Sequence, residues 1–540
     1  MPHYIGVDVG TGSARAGVFD SEGTMLASAK RDIALFLEPG EIAEQSSEDI
    51  WRAVSASVRE AVTASGVDAS DVAGIGFDAT CSLVVIGQNG VPLPVGASGD
   101  SQRNIIVWMD HRSLDQTRRI NAGKYAVLDY VGGAISPEME TPKLLWLKEN
   151  MPDSFARAQY FFDLPDYLTW RATGSTARSI CTVTCKWTYL AHESRWDEAY
   201  FRAIGLGELA DEGFARIGTE IVAGGTALAQ GLTEAAAADF GLRRGTAVAA
   251  GLIDAHAGGV GTVGGKAPKA GGDTGTLQSR MAYVFGTSAC TMASTSEPAF
   301  VPGVWGPYFS SMVPGLWLSE GGQSAAGAAI DHLISFHPAS TEASARAKAQ
   351  GISLAAWLAR QAAERSPDLS EAVRLADGLH VVPEFLGNRS PFADPEAKGL
   401  IAGLGMDTSP DSLVALYVAG LCGLGYGVRQ IMAAMAGKGL AIDTIVVSGG
   451  AAQSELVRQL LADTTGLTVA SSTSPEPVLL GSAMLGAVAA GRYPDLISAM
   501  TGMATMGEIY RPAGGPLKAL HDKRFGAFEL LRKAARAIRD

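Results

Sequence analysis

A polar turn between two apolar stretches near the start of the chain is the feature that most limits the fold. Residues 4–20 read YIGVDVGTGSARAGVFD, so glycines, hydroxyl side chains and one arginine separate two apolar strands. A plain hairpin turn needs only two residues. A longer turn of small residues lets a ligand approach the backbone, and its successive N–H groups can bind an anion. The stretch therefore suits either a phosphate-binding turn or an ordinary surface hairpin.

A second stretch of the same kind begins near residue 280. The sequence SRMAYVFGTSACTMAST again predicts strand, polar turn and strand, and its GTSAC turn echoes GTGSA in the first. In the first half, helical patterns over 46–65 and 141–158 alternate with strands, and residues 443–469 predict strand, glycine turn, helix and strand. Such alternation predicts an α/β architecture. Two related lobes with a ligand between them are expected.

The length and charge of the chain limit its organisation and partners. A chain of 540 residues is too long for one core, so two or more domains are expected. A net charge of −13 disfavours nucleic acid and anionic membrane surfaces as partners. The apolar stretch 412–428 is shorter than the roughly 20 residues of a membrane span, so it predicts a buried helix. A homodimer remains open.

The five cysteines and the N-terminus indicate the compartment. The only close pair of cysteines has the spacing C-x3-C, which matches neither a disulfide framework nor a zinc site. The N-terminus enters a strand directly, without the basic and apolar regions of a secretory signal. A reducing, cytoplasmic setting is expected.

A glycine-rich stretch marks the predicted lobe boundary. Residues 258–275, GGVGTVGGKAPKAGGDTG, are expected to form a mobile link between an N-terminal lobe, 1–262, and a C-terminal lobe, 263–540. The stretch contains the letters of a dinucleotide fingerprint, but the following GKAPKAGGD cannot open a helix promptly. No P-loop is present either, so phosphates must be held by another architecture.

Four ordered segments together resemble the FGGY carbohydrate kinases, a branch of the actin and hexokinase superfamily, over essentially the whole chain. They are GVDVGTGSARAGVFD, GLIDAHAGG, VFGTSAC and VVSGGAAQSELVRQLLADTTG. The resemblance implies a two-lobed, actin-like, ribonuclease H-like duplication with the active site in the interlobe cleft, and ATP with Mg²⁺ as cofactors. GFDATCSLVVI and VWMDHRS resemble the ribulokinases, and TCSLV resembles D-ribulokinase-like members; the Met-His pair of xylulokinases is absent.

The resemblance also assigns roles to individual residues. Asp8 is expected to organise Mg²⁺, directly or through water. The residues expected to contact the nucleotide are Thr11, Gly12, Ser13, Arg15, Gly286, Thr287, Ser288, Gly327, Asp331, Gly450, Ala451 and Ser454. The residues expected to contact the sugar are Ala79 through its backbone, Trp108, Asp110, Lys186, Asp254 and Glu320. Some have a plain structural alternative: turn capping for Asp8, core packing for Trp108, and solvation for Lys186 and Asp331.

Asp254 is the expected catalytic base. It follows the apolar strand TAVAAGLI, so its carboxylate can reach into a cleft while the strand fixes its backbone. Phosphoryl transfer to a hydroxyl needs a proton acceptor beside the attacking oxygen. Asp254 alone combines this placement with the catalytic position of the family, although His256 competes and Asp254 could also cap a helix.

The expected function is ATP-dependent phosphorylation of a pentulose, with D-ribulose converted to D-ribulose 5-phosphate. L-ribulose, xylulose and ribitol are alternatives within the class. A chaperone- or actin-like ATPase is the rival from another class, but it would need neither Asp254 before AHAGG nor a set of sugar-binding side chains. A nucleotide sensor without catalysis would lack the base.

Overall fold

The computed structural model describes residues 1–267 and 274–539. Its strands are β1 His3–Val9, β2 Ser13–Phe19, β3 Met25–Asp32, β4 Phe36–Glu38, β5 Ile42–Gln45, β6 Val72–Ala79, β7 Leu83–Gly87, β8 Ile105–Ile106, β9 Ala158–Asp163, β10 Arg178–Ser179, β11 Ile221–Val222, β12 Ala247–Val248, β13 Leu252–Ile253, β14 Arg280–Phe285, β15 Ala289–Thr295, β16 Trp305–Phe309, β17 Trp317–Gln323, β18 His380–Val382, β19 Leu400–Ala402, β20 Thr444–Ser448, β21 Thr468–Ser472 and β22 Met506–Tyr510.

The α-helices alternate with these strands, as the sequence predicts. They are α1 Ser47–Ser65, α2 Leu114–Ala122, α3 Glu140–Asn150, α4 Pro152–Arg157, α5 Leu164–Thr173, α6 Ile180–Lys186, α7 Glu198–Ala203, α8 Gly207–Asp211, α9 Glu234–Phe240, α10 Asp254–Val263, α11 Gly327–Ser335, α12 Ser340–Ala349, α13 Leu354–Glu364, α14 Pro410–Ala436, α15 Glu455–Thr465, α16 Pro477–Ala489, α17 Leu496–Met503 and α18 Gly515–Arg539.

The two largest sheets repeat one topology. The first has the order β12–β6–β1–β2–β3, with β13 also paired to β6, and the second contains β21–β20–β14–β15–β17. In the first sheet β1 is antiparallel to β2 and β2 to β3, while β6 and β12 run parallel to β1. In the second sheet β14 is antiparallel to β15 and β15 to β17, while β20 and β21 run parallel to β14. The predicted duplication is therefore present. It puts the β1–β2 turn and the β14–β15 turn at equivalent positions.

Helices α10 and α16 connect the two lobes at the centre of the molecule. Helix α10 follows β13 of the first sheet but packs on β14 and β20 of the second, and α16 follows β21 of the second sheet but packs on β1 and β6 of the first. The two helices also pack on each other. Each lobe thus contributes a helix that packs on the face of the other lobe's sheet.

Glycines make these contacts close. A Cβ on Gly6 of β1 would lie 1.9 Å from the Leu479 carbonyl oxygen of α16, and a Cβ on Gly76 of β6 would lie 2.0 Å from the Ser482 carbonyl oxygen. The strands can bury both faces because α16 approaches one face at backbone distance. The glycines at these positions are therefore a packing requirement.

The predicted mobile link over 258–275 is wrong in its first part. Gly258, Gly259 and Gly261 are buried in α10. A Cβ on Gly261 would lie 1.9 Å from the Pro477 carbonyl oxygen, so this glycine permits helix contact rather than flexibility. Residues 268–273 lie outside the described part of the chain. The predicted boundary between residues 262 and 263 falls in the last turn of this helix.

Helix α14 contains the apolar stretch 412–428. Within the described residues it is the one helix long and apolar enough to cross a membrane, yet 78% of its most apolar window is buried inside the protein. Its neighbours include α11, α13, α15 and β18. The prediction of a buried helix is confirmed.

Candidate active site

A cavity of about 380 Å³ lies between the two glycine–threonine turns. It opens at the carboxyl ends of β1, β6, β13 and β14, where ligands bind in α/β sheets. The cavity is lined by Asp8, Gly10, Thr11, Arg15, Thr80, Cys81, Trp108, Glu138, Lys186, Ile253, Asp254, Ala255, Val284, Gly286, Thr287, Ser288, Cys290, Trp305, Glu320, Arg389 and Val478. Residues from both halves of the chain share this one space.

Each turn is closed by a hydrogen bond from the amide of its first glycine, although the first turn is one residue longer than the second. The Gly10 amide donates to the Ser13 carbonyl oxygen at 3.0 Å, and the Gly286 amide donates to the Ser288 carbonyl oxygen at 3.0 Å. A Cβ on Gly12 would meet no atom within 4 Å, and neither Gly12 nor Gly286 has a positive φ. Neither packing nor conformation demands glycine there, so the free space above the backbone fits a ligand such as a phosphate.

Side chains from the first lobe anchor the first turn. The indole Nε1 of Trp108 donates to the Thr11 hydroxyl oxygen at 2.9 Å, and the Gln45 amide donates to the Thr11 carbonyl oxygen at 2.7 Å. Trp108 also lines the cavity. This hydrogen bond joins the first turn to the indole, which lines the same cavity as Lys186 and Glu320.

The start of α11 supports the second turn from behind. The Gly327 amide donates to the Gly286 carbonyl oxygen at 3.0 Å, and the amides of Ala326 and Ala328 donate to the Thr287 carbonyl oxygen. A Cβ on Gly327 would lie 2.8 Å from the Gly286 carbonyl oxygen. Gly327 is thus needed for the position of the turn, whether or not it contacts a nucleotide.

Three carboxylates meet at the carboxyl ends of the first sheet. Asp8 of β1 is paired in register with Asp78 of β6, and Leu252 of β13 is also paired with Asp78. Asp254 lies two residues after Leu252, just beyond the end of β13. Burial, together with the charge of Asp8, raises the pKa of Asp254 to about 6. Burial and the charge of Asp8 also raise the pKa of Asp78 well above its usual range.

The carboxylates fit Mg²⁺ without forming a closed metal cage. Among the described residues no group of three His, Cys, Asp or Glu side chains is arranged to hold a metal by itself. Mg²⁺ is commonly held by one or two carboxylates, substrate phosphates and water. Asp8 lines the cavity beside the first turn, whereas Asp78 is fully buried and does not line it. The Asp8 carboxylate therefore suits a hard cation between phosphate and protein.

Arg15 is held by two carboxylates. Its guanidinium pairs with Asp8 and with Glu476, at 2.7 Å in the second case. Arg15 lines the main cavity and a neighbouring groove of about 400 Å³, which Gly12 and Ser13 also line. The predicted nucleotide residues of the first turn therefore face two openings, one on each side of the turn.

The wall opposite the carboxylates alternates in charge. Lys186 at the end of α6 and Arg389 line it as cations, and Glu320 of β17 and Glu138 line it as anions. The Lys186 ammonium lies 5.5 Å and the Arg389 guanidinium carbon 5.1 Å from the centre of the Trp305 ring. In the described part of the chain neither cation has a carboxylate within ion-pair distance. Polar ligand groups would find both donors and acceptors here.

Several predicted residues lie outside the cavity. Asp110 is fully buried and binds Arg112 through both carboxylate oxygens and the Ala43 amide. Ala79 is buried at the end of β6, beside the cavity residue Thr80. Asp331 is exposed on α11.

The predicted adenosine segment adjoins the second turn. Gly449 has φ 96°, and a Cβ there would lie 2.5 Å from the carbonyl oxygen of Phe285, the residue before Gly286. Gly450 begins a short 3-10 helix, and Ser454 precedes α15. The side chain of Ala451 lies outside the described part.

Family models match both halves of the chain. The model of the N-terminal domain of the FGGY family of carbohydrate kinases matches residues 3–261, and that of the C-terminal domain matches residues 281–490. The chain belongs to the FGGY family of carbohydrate kinases. It is therefore an enzyme, a sugar kinase.

Relatives and solved structures agree with this assignment. The chain is 45% identical over 533 residues to the FGGY carbohydrate kinase domain-containing protein of Homo sapiens, covering 97% of this chain and 95% of that protein. It is 40% identical over 511 residues to a D-ribulokinase of Saccharomyces cerevisiae, covering 90% of this chain and 72% of that protein. The structure of xylulose kinase from Rhodospirillum rubrum matches 99% of each chain with a TM-score of 0.80 at 23% identity. The fold is the two-domain, actin-like fold of FGGY kinases.

Sequence reasoning missed several residues of the FGGY kinase cavity. Glu138, Cys290, Trp305 and Arg389 line it, although none was selected from the sequence. Cys290 directly follows the GTSA letters of the second turn, which is a signal that could have found it. Arg389 and Glu138 come from loops whose sequence gives no indication of the cleft.

Proposed function

We propose that this FGGY kinase transfers the γ-phosphoryl group of ATP to a hydroxyl of D-ribulose, giving D-ribulose 5-phosphate. The observation that carries the proposal is the position of Asp254, in one cavity with both glycine–threonine turns and with the wall of Lys186 and Glu320. The 40% identity to a yeast D-ribulokinase supports D-ribulose as the sugar.

Asp254 acts as the general base. Its Oδ1 accepts the Ala255 amide at 2.7 Å, which fixes the carboxylate at the start of α10. The other oxygen is then available to take the proton of the sugar hydroxyl as that oxygen attacks the γ-phosphorus. Burial and the charge of Asp8 raise the pKa of Asp254 to about 6, so the carboxylate is more basic than an exposed aspartate and is still mostly ionised at neutral pH.

The two turns hold the ATP phosphates. Their backbone amides and the Thr11, Thr287 and Ser288 hydroxyls line the cavity or its rim, and such groups stabilise phosphate charge without a P-loop. Asp8 is the residue that would hold Mg²⁺, directly or through water, and an ion there would supply neutralisation of the charge on the transferred phosphoryl group.

The mixed wall suits a neutral sugar. Lys186 donates to sugar oxygens, Glu320 accepts from sugar hydroxyls, and Trp108 supplies an apolar face. A wall with cations and carboxylates in similar number favours a polyhydroxylated molecule without charge over a sugar acid. Asp110, buried with Arg112, supports this wall rather than reaching the sugar in the present conformation.

A substrate panel tests the proposal. ADP release at fixed ATP is measured with D-ribulose, L-ribulose, D-xylulose, ribitol and no acceptor. We expect the highest kcat/KM with D-ribulose and little turnover without acceptor, because closure and base positioning need the sugar. ATP turnover that does not depend on any acceptor would favour the chaperone- or actin-like ATPase. A clear preference for another acceptor would overturn D-ribulose.

A further inference from the structure

A buried hydrogen-bonded chain lies behind the cavity and joins Cys181, His256 and Glu320. The imidazole Nδ1 of His256 lies 3.0 Å from the Cys181 sulfur, and its Nε2 lies 3.2 Å from Glu320 Oε2. His256 is 1% exposed and does not line the cavity, whereas Glu320 does. Any effect of His256 on a ligand in the cavity must therefore pass through Glu320.

The direction of each hydrogen bond follows from the donors available. The Ile253 amide donates to the Cys181 sulfur at 3.3 Å, so the thiol hydrogen is free to point at Nδ1 of His256. Burial alone would lower the pKa of His256, but the neighbouring Cys185 and Glu320 raise it. A protonated imidazole donates from both nitrogens, and a neutral one that accepts from the thiol at Nδ1 carries its hydrogen on Nε2, so Nε2 donates to the Glu320 carboxylate in either state. In the neutral ring the thiol thus selects the tautomer that serves Glu320.

The chain also joins three elements of the site. Cys181 lies on α6, which ends at Lys186; His256 lies in the first turn of α10, two residues after Asp254; Glu320 lies on β17 of the second sheet. Burial disfavours the charge on Glu320, but the hydrogen bond from His256 offsets it and lowers the pKa of the carboxyl. An ionised carboxylate with one oxygen held from behind presents its other oxygen to the cavity.

We propose that His256 is a positioning residue that orients Glu320 to accept a hydrogen bond from a sugar hydroxyl, with Cys181 fixing the tautomer of the imidazole. This inference rests on the proposed function, because it takes Glu320 as a sugar contact. It assigns His256 to sugar affinity and leaves proton abstraction to Asp254.

Two substitutions of His256 separate this role from simple packing. A glutamine amide reaches the position of Nε2 and can donate to Glu320, whereas an asparagine amide reaches only the position of Nδ1. We expect His256→Asn to raise the sugar KM roughly 10- to 100-fold, the cost of a lost hydrogen bond to a charged group, with the ATP KM little changed. We expect His256→Gln to recover most of the sugar affinity. His332→Asn, on the exposed side of α11, is the matched control.

A double-mutant cycle with Glu320→Gln completes the test. If His256 acts through Glu320, His256→Asn adds little to the sugar KM once Glu320→Gln is present. Equal sugar KM values for the asparagine and glutamine variants, a parallel rise in the ATP KM, or additive effects in the cycle would overturn the inference. The wild-type substrate panel decides the proposed function separately. The His256 comparison then uses the acceptor with the highest kcat/KM, and a wild type inactive on every acceptor overturns both.

Discussion

At the scale of single residues, the chemistry depends on one carboxylate whose surroundings are unusual. Asp254 begins α10, faces the cavity and shares the edge of the first sheet with Asp8 and Asp78. Three acidic groups in one buried place are costly unless protons or a cation offset their repulsion. The Arg15 guanidinium, paired with Asp8, supplies one such positive charge, and the Ser482 hydroxyl donates a hydrogen bond to Asp78 at 2.5 Å.

Replacing the base should remove turnover and leave nucleotide binding. We predict that Asp254→Asn folds, binds ATP and loses roughly 10²- to 10⁴-fold in kcat, the range expected for a general base. His256→Ala should cost much less in kcat. Steady-state kinetics and calorimetric ATP titration measure the two effects. Near-normal turnover of Asp254→Asn with the best acceptor would show that another group takes the proton.

The sequence predicted residues in recognisable segments better than residues from loops. Thr11, Lys186, Asp254, Thr287 and Glu320 all line one cavity. Thr11, Asp254 and Thr287 follow strands that end there, whereas Lys186 ends α6 and Glu320 lies within β17. Their roles stay predictions. Asp110 was selected from VWMDHRS, but Arg112, two residues later, folds back and binds its carboxylate. No periodicity reveals such a closed ion pair, nor that the Arg389 loop reaches the cleft.

At the scale of elements, the exchange of α10 and α16 between the lobes is the main structural device. The glycines of α10 were interpreted as flexibility, because composition alone cannot distinguish a linker from a helix packed at backbone distance. The existence of the strands around the two polar turns followed from apolar patterns. The exchange of α10 and α16 could not be predicted, because no local sequence pattern indicates which sheet a helix will cover.

A methyl group between the exchanged helices should destabilise the fold. We predict that Gly261→Ala lowers the free energy of unfolding by about 1–3 kcal/mol, because its Cβ would lie 1.9 Å from the Pro477 carbonyl oxygen. Gly526→Ala is the matched control: this exposed glycine of α18 has nothing within 4 Å of its Cβ, so alanine should stabilise by about 0.5–1 kcal/mol. Urea unfolding measures both. Equal shifts in one direction would rule out close packing as the cause.

The contact between α18 and α14 should weaken in acid. Nδ1 of His521 in α18 lies 2.9 Å from the hydroxyl oxygen of Tyr426 in α14. Burial, together with the charges of Arg524 and Arg429, lowers the pKa of His521 to about 4. Between pH 6.5 and 4 the unfolded chain therefore binds the extra proton, so stability falls as pH falls. We predict a loss of about 2 kcal/mol from this group between pH 7 and pH 5.

A variant isolates this contribution from other titrating groups. In His521→Asn an amide oxygen can still accept from Tyr426 but does not titrate in this interval. The difference between wild type and variant in urea midpoints at pH 7 and pH 5 gives the contribution of His521. An identical pH dependence for both chains would show that this histidine is not kept neutral by the fold.

At the scale of the whole molecule, the cavity is shared by two lobes. Its walls carry Asp8, Lys186 and Asp254 from the first family domain and Thr287 and Glu320 from the second. A reaction between two substrates that each contact both lobes proceeds best when the lobes close and exclude water. The sequence could predict two lobes from the repeated turn. The boundary between residues 262 and 263, in the last turn of α10, stays a prediction.

Closure should require both substrates. We predict that small-angle scattering shows a smaller radius of gyration for Asp254→Asn with ATP, Mg²⁺ and D-ribulose than with either substrate alone. The variant prevents turnover during the measurement. The wild type with ATP alone is the reference for nucleotide binding without closure. Equal dimensions in every state would contradict a closing cleft.

Direct observation of the transferred group tests the central claim. Phosphorus NMR of the wild type with ATP, Mg²⁺ and D-ribulose follows where the γ-phosphoryl group goes. We predict a phosphomonoester signal of ribulose 5-phosphate that grows in step with ADP and is absent without the sugar. Inorganic phosphate formed at the same rate with and without D-ribulose, and no sugar phosphate, would contradict the assignment of this chain as a pentulose kinase.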